Sequence, residues 1–135
     1  MSYALITEEP IDEAAVKAAV ESDTSGALVM FHGIIRNHDG GQSVNSLVYS
    51  HHPQAQEFLE KIIAEEEERT GLKLSAVHRV GPLAIGDAAL VAASAAAHRK
   101  EAFDAIENLV ERIKAEVPIW KKQHFTSGSS EWVGL

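Results

Sequence analysis

Apolar positions follow a helical period in three segments of the chain and a strand-like pattern in most of the others. Phe103, Ile106, Val110, Ile113 and Val117 are spaced 3, 4, 3 and 4 residues apart, which makes one stripe on a helix. Pro118 disfavours helical geometry at Val117 and ends that element. "PQAQEFLEKIIAEEEERTG" predicts a second helix, started by Pro53, stopped by Gly71 and buried along Phe58, Leu59, Ile62 and Ile63. Its run from Glu65 to Glu68 reads as a solvated face. "EEPIDEAAVKAAVES" predicts a third, with Pro10 near its start and Ile11, Ala15, Val16 and Ala19 inward.

The strand-like segments are "YALIT", "GALVMFHGIIR" from Gly26, Val44 to His51, and "LKLSAVHRVG". The last puts Leu72, Leu74, Ala76 and His78 on one side. "NHDGGQS" is a turn that would join the runs on either side of it into a long hairpin, and "PLAIGD" is a second turn. "AALVAASAAAHRKEAFDAIENLVERIKAEV" is ambiguous. Alanine is the best helix former, so propensity alone gives one long helix. The preceding Gly86–Asp87 turn and the Val and Ser content favour a small-residue strand over 88–97, with a helix from about His98. There is no repeat, low-complexity segment or linker, and 135 residues suit one domain, 1–135.

Composition narrows the chemistry. The formal net charge of -8 argues against a general nucleic-acid binder, which needs a basic face. With no cysteine, the chain has no disulfide, thiolate metal site or cysteine nucleophile. No apolar run is long enough for a membrane span, and "MSYALITEEPIDEAA" lacks a secretory pattern, so a cytoplasmic location is expected. His51 and His52 are adjacent, and His32, His38, His78 and His124 are scattered without a ligand-like spacing. No metal site and no cofactor is expected.

The cations are placed against this background. The helix from His98 opens His-Arg-Lys-Glu, although cations are unfavourable at the positive end of a helix dipole. Arg99 also falls in line with the apolar stripe. Two readings stand: an anion such as phosphate binds there, or Arg99 pairs with an acidic neighbour. Lys114 lies in the last turn, and a turn at "PIW" would fold Lys121 back toward it. Neighbouring ammonium groups lower each other's proton affinity, which suits acid–base chemistry. Arg36 ends a strand beside the Gly-rich turn.

Taken in order and spacing, "FHGIIRNHDGGQSV", "HRVGPLAIGD", "AAAHRKEAFDA" and "IKAEVPIWKKQ" resemble the large, catalytic subunit of molybdopterin synthase. The resemblance implies an α/β hammerhead fold, α+β in character, with an additional antiparallel sheet. It implies an enzyme, a sulfurtransferase of molybdenum cofactor biosynthesis that builds the dithiolene of molybdopterin from cyclic pyranopterin monophosphate. Sulfur would come from the C-terminal thiocarboxylate of a small ubiquitin-like partner subunit. The assembly implied is a heterotetramer around a central dimer of this chain. The matched substrate-binding positions are Ile34, Ile35, Arg36, His98, Arg99, Lys114, Lys121, Lys122 and Gln123, with Lys114 the principal catalytic lysine and Lys121 assisting. Gln123 departs from the family, which often carries an acidic residue there. The competing class is a non-catalytic module that docks a ubiquitin-like tail. It would not need the His98–Arg99 pair or both lysines.

Length adds a constraint. Arg99 and Lys114 are fifteen positions apart, roughly 22 Å along one helix at about 1.5 Å per residue. A small tricyclic phosphate would not bridge them, so either one of the two lies outside the site or two subunits share it. With the central dimer that the resemblance implies, a composite site is expected, His98 and Arg99 from one subunit and Arg36, Lys114 and Lys121 from its mate.

Overall fold

A computed structural model describes residues 3–39, 42–125, 128 and 130–134. Strands β1 (Tyr3–Thr7), β2 (Ala27–Ile34), β5 (Lys73–Arg79) and β7 (Ala88–Ala96) form a four-stranded sheet ordered β1-β5-β7-β2. β1 and β5 are parallel, and the other pairings are antiparallel. A second, wholly antiparallel sheet runs β3 (His38–Asp39), β4 (Gln42–His51), β8 (Ile119–Phe125), β9 (Ser130–Gly134), with β6 (Gly81–Ala84) also on β4. Three helices complete the chain: α1 (Glu13–Ala18), α2 (Ala55–Thr70) and α3 (Arg99–Glu116). This is the mixed α/β architecture with an added antiparallel sheet that the resemblance implies.

The ambiguous Ala-rich stretch is a strand followed by a helix, as read. β7 lies between β5 and β2 and is buried on both faces. Leu90 and Ala92 join the core that contains Leu59, Leu109 and Ile113, on the side of α2 and α3. Val91, Ala93 and Ala95 pack with Val16 and Val20 on the side of α1. Ser94 points to the α3 side and donates its hydroxyl to the Ala102 carbonyl at 2.7 Å, which ties the first turn of α3 to the strand. Alanine here serves close packing on two faces, and that tertiary requirement overrides its helical propensity.

Several expectations are corrected. The runs flanking "NHDGGQS" do not pair. β2 pairs with β7 in one sheet, and β4 pairs with β6 and β8 in the other. The hairpin at that place is the short β3–β4 pair, and Gly40 and Gly41 of its turn lie outside the described residues. The supposed turn "PLAIGD" begins with β6, so only its end turns. Pro10 and Pro53 precede their helices, which begin at Glu13 and Ala55. Phe58 and Phe103 are exposed, because alanines such as Ala102 and Ala105 share the contact and rotate the buried faces of α2 and α3 away from them. Arg99 is exposed for the same reason. Glu66 is buried rather than solvated and accepts from Arg69 and from Arg112, which also holds Glu65 and Glu116. "PIWKKQ" is the start of β8, so Lys121 arrives on a strand and not on a turn.

Gly71 caps α2 in the left-handed region at φ 72°. The end of α3 is set at Val117, extended at ψ 123° as the proline after it demands.

Enlarging the α3-facing side of β7 should disturb this packing. Ala92→Leu is expected to lower unfolding free energy by about 1–3 kcal/mol through overpacking, read as a shifted urea midpoint. An unchanged midpoint would mean that the strand does not set the helix-to-sheet spacing.

Candidate active site

The C-terminal end of α3 meets the second sheet over a cavity of about 220 Å³. Ile34, Ile35 and Arg36 form one wall. Lys114 enters from the last turn of α3, and Lys121 and Gln123 come from β8. β8 alternates: Ile119 and Gln123 are buried, and Lys121 and Gln123 line the cavity. Lys122 leaves by the opposite face, its ammonium 5.6 Å from the centroid of the Trp132 ring. Six of the nine positions named by resemblance are therefore brought together, and Lys122 is not among them.

The wall carrying Arg36 is held by its backbone. Ile35 N–H donates to the Asp87 carbonyl at 2.9 Å, and Gly86 N–H donates to the Ile35 carbonyl at 2.8 Å. The Asp87 carboxylate accepts from Ala84 N–H at 2.9 Å and from Arg79 at 3.4 Å. The Ile85–Asp87 turn, with Gly86 at φ 91°, thus clasps the strand end from which Arg36 projects.

Lys114 has its pKa lowered, first by loss of hydration and then by the positive charge of Lys121, with Glu111 opposing. Lys121 thus acts on Lys114 as expected, although the element that brings it in is a strand.

His78 and Tyr49 form the floor, and the sequence reading assigned neither to the site. Their rings meet edge to face, centroids 5.2 Å apart. His78 is 2% exposed and its Nδ1 lies 2.8 Å from the Arg79 carbonyl. Its pKa is pushed down to about 4, chiefly by burial and to a smaller extent by Lys114, against the pull of that hydrogen bond. Burial also pushes Tyr49 up to about 12, so its hydroxyl stays protonated. A signal for His78 existed, since it ends an otherwise apolar strand face.

His98 and Arg99 lie elsewhere. They line a separate depression of about 530 Å³ at the other end of α3, with Gly26, Ala27, Ala97, Lys100 and Glu101. Gly26 allows this approach, because a Cβ there would stand 2.8 Å from the Ala97 carbonyl oxygen. His98 is the N-cap of α3 but makes no side-chain capping bond. Lys100 pairs with Asp104, whereas Arg99 forms no ion pair among the described residues. The acidic-neighbour reading of Arg99 therefore finds no support. Among the described residues no group of three His, Cys, Asp or Glu gathers to hold a metal.

The family model described as MoaE protein matches residues 6–116. The chain belongs to this family. A molybdopterin synthase catalytic subunit 1 from Mycobacterium tuberculosis is 42% identical over 134 residues, covering 98% of this chain and 90% of that protein. A molybdopterin synthase catalytic subunit from Bacillus subtilis is 40% identical over 131 residues, covering 96% and 83%. The crystal structure of a molybdopterin synthase from Staphylococcus aureus superposes with a TM-score of 0.89 at 38% identity, covering 96% of each chain. A complex of subunits 1 and 2 of molybdopterin-converting factor from Helicobacter pylori, at 21% identity and a TM-score of 0.72, shares the fold.

Buried neutral His78 makes stability depend on pH. Its folded pKa lies below its ordinary value of 6.5, so the unfolded chain binds the extra proton first. Stability is then full well above pH 6.5 and falls as pH drops toward 4, by roughly 2 kcal/mol between pH 6.5 and 4.5, the slope approaching about 1.4 kcal/mol per pH unit only between the two pKa values. Urea unfolding across that range should show the slope in the native protein and lose most of it in His78→Asn.

Proposed function

We propose that the Lys114 cavity is one half of a sulfur-transfer site, completed by His98 and Arg99 of a second copy of the chain. The chain is an enzyme, the catalytic subunit of a molybdopterin synthase in molybdenum cofactor biosynthesis. It moves sulfur from the C-terminal thiocarboxylate of a small ubiquitin-like subunit to cyclic pyranopterin monophosphate, forming the dithiolene. The observation that carries the site assignment is the convergence of Lys114 and Lys121 on one cavity, with Lys114 held less basic than an ordinary lysine. A tail-docking module without chemistry would have no use for that pair.

The chemistry follows from what these groups offer. The chain has no thiol, so sulfur has to attack the substrate directly from the carrier. Protonated Lys114 holds the thiocarboxylate anion and hands a proton to the oxygen that leaves as the carbon–sulfur bond forms. The product of that step is a thioester. Water cuts it: its oxygen ends in the carrier's carboxylate, the sulfur stays on the substrate carbon as a thiol with one of the water's protons, and the other proton returns to Lys114. A lowered pKa suits a group that must give and retake a proton near neutrality. Loss of hydration keeps that pKa low, and Lys121 lowers it further and adds positive charge. Arg36, with the Ile34–Ile35 wall, and Gln123 orient the heterocycle. Lys122, over Trp132, stiffens β8 from outside.

The shared site rests on distance. Arg99 and Lys114 sit at opposite ends of an 18-residue helix, roughly 22 Å apart by helical rise. The cavity, at about 220 Å³, is also small for a complete ligand site, which usually encloses about 300–1,000 Å³. Two-fold pairing would bring the depression of one chain to the cavity of the other, twice. The chain acts as a single domain in a cytoplasmic heterotetramer with a central dimer. No described helix is long and apolar enough to cross a membrane.

With carrier and substrate supplied, Lys114→Ala should lower turnover by about 100-fold or more. Lys121→Ala should lower it less. Both should melt within about 0.5 kcal/mol of the native protein, since neither is packed in the core. Near-normal dithiolene formation by Lys114→Ala would remove the assignment.

Mixing Arg99→Ala with Lys114→Ala tests the sharing. A heterodimer has one site with both defects and one with neither, so random exchange should restore about a quarter of native activity. Verified exchange without recovery would show that each site is built from one chain.

A further inference from the structure

The charged groups of the cavity are all cationic, and the Gln123 amide that also lines it already has a partner. Arg36, Lys114 and Lys121 are hydrogen-bond donors only. They suit an anion and offer nothing to an N–H edge. A pterin has such an edge, its 2-amino group beside N3–H, and the cavity floor contains the complement.

The tautomer of His78 is fixed by chemistry. A carbonyl oxygen accepts only, so the 2.8 Å contact of Nδ1 with the Arg79 carbonyl requires the proton on Nδ1. The ring is neutral, so Nε2 carries a bare lone pair. Among the described residues Nε2 has no hydrogen-bond partner and is not among the fully buried unpartnered atoms, and His78 lines the cavity. The Tyr49 hydroxyl is protonated and likewise has no hydrogen-bond partner among the described residues, and Tyr49 lines the cavity. Leu47, Ala89 and Leu90 supply apolar contact around them. An acceptor on an otherwise apolar floor beneath a cationic rim is the arrangement of an orienting contact.

We infer that His78 is a substrate-recognition residue, whose Nε2 accepts a hydrogen bond from the amino-bearing edge of the pterin, with the Tyr49 hydroxyl beside it. The inference rests on the reading of this cavity as the pterin's half of the site. Pterin is thus read from below by a neutral acceptor, and the phosphate and reacting carbons face the cations. A heterocycle with oxygen in place of the 2-amino group sets a lone pair against Nε2 and is rejected.

The test uses the assembled synthase and equilibrium binding of cyclic pyranopterin monophosphate. His78→Asn keeps a donor for the Arg79 carbonyl and removes the acceptor, and His78→Gln restores an oxygen near the position of Nε2. Binding should weaken roughly tenfold or more in His78→Asn and stay within about threefold of native in His78→Gln. Inorganic phosphate should compete equally well against the native protein and either variant. Displacement of the bound substrate from the native protein by pterin and by lumazine, its 2-oxo analogue, gives a readout independent of any variant's folding. Pterin should displace at least about ten times more strongly. Equal displacement by the two, or unchanged affinity in a folded His78→Asn, overturns the role of His78 and leaves the sulfur-transfer reading intact. A native synthase that binds no cyclic pyranopterin overturns both.

Discussion

The close packing of α3 on β7 is the constraint on which the rest of the structure depends. β7 is buried on both faces, and its α3-facing positions are small enough for the helix to lie down on them. The chain passes from Ala96 through Ala97 and His98 into the helix, which runs back over the strand it has left. From Leu90 to His98 is roughly 26 Å at about 3.3 Å per strand residue. From Arg99 to Lys114 is roughly 22 Å at about 1.5 Å per helical residue. The two lengths nearly match, so Lys114 returns to the level of Ala89 and Leu90, which line its cavity. The same return leaves His98 and Arg99 at the far end. One packing contact therefore sets the Lys114 cavity and the His98–Arg99 depression at opposite ends of α3.

Charge is distributed to match. Lys17, Arg69, Arg79, Lys100 and Arg112 are each held by a carboxylate. Lys114, Lys121 and Arg99 form no ion pair among the described residues. A chain of net charge -8 has carboxylates to spare, yet among the described residues none forms an ion pair with these three. Unneutralised cations in concave places are costly unless an anion completes them, which marks functional ground rather than stabilising surface.

Local pattern showed most of the elements in the sequence, including the strand-to-helix change at His98. Sheet membership was not legible, because the pairing of β2 with β7 and of β4 with β8 joins segments distant along the chain. The helix stripes were drawn through Phe58 and Phe103, since large apolar residues dominate a pattern, whereas the contact uses alanines. Motif resemblance placed Arg36, Lys114, Lys121 and Gln123 in one set, and they share one cavity. It was silent on Tyr49 and His78, whose importance arises only when β4 and β5 bring their rings edge to face.

The alternation along β8 has an evolutionary corollary. Lys121 and Gln123 face the cavity, and Trp120 and Lys122 face away, so parity along this strand decides which ammonium group faces the cavity. β4 and β9 grip β8 from either side and lock that parity. Loss or gain of one residue between Pro118 and Lys121 would turn every side chain over while leaving composition almost untouched. Insertions and deletions in this short segment are therefore admissible only in pairs. A lineage drifting in length here would keep the step size of the β-strand, two residues at a time.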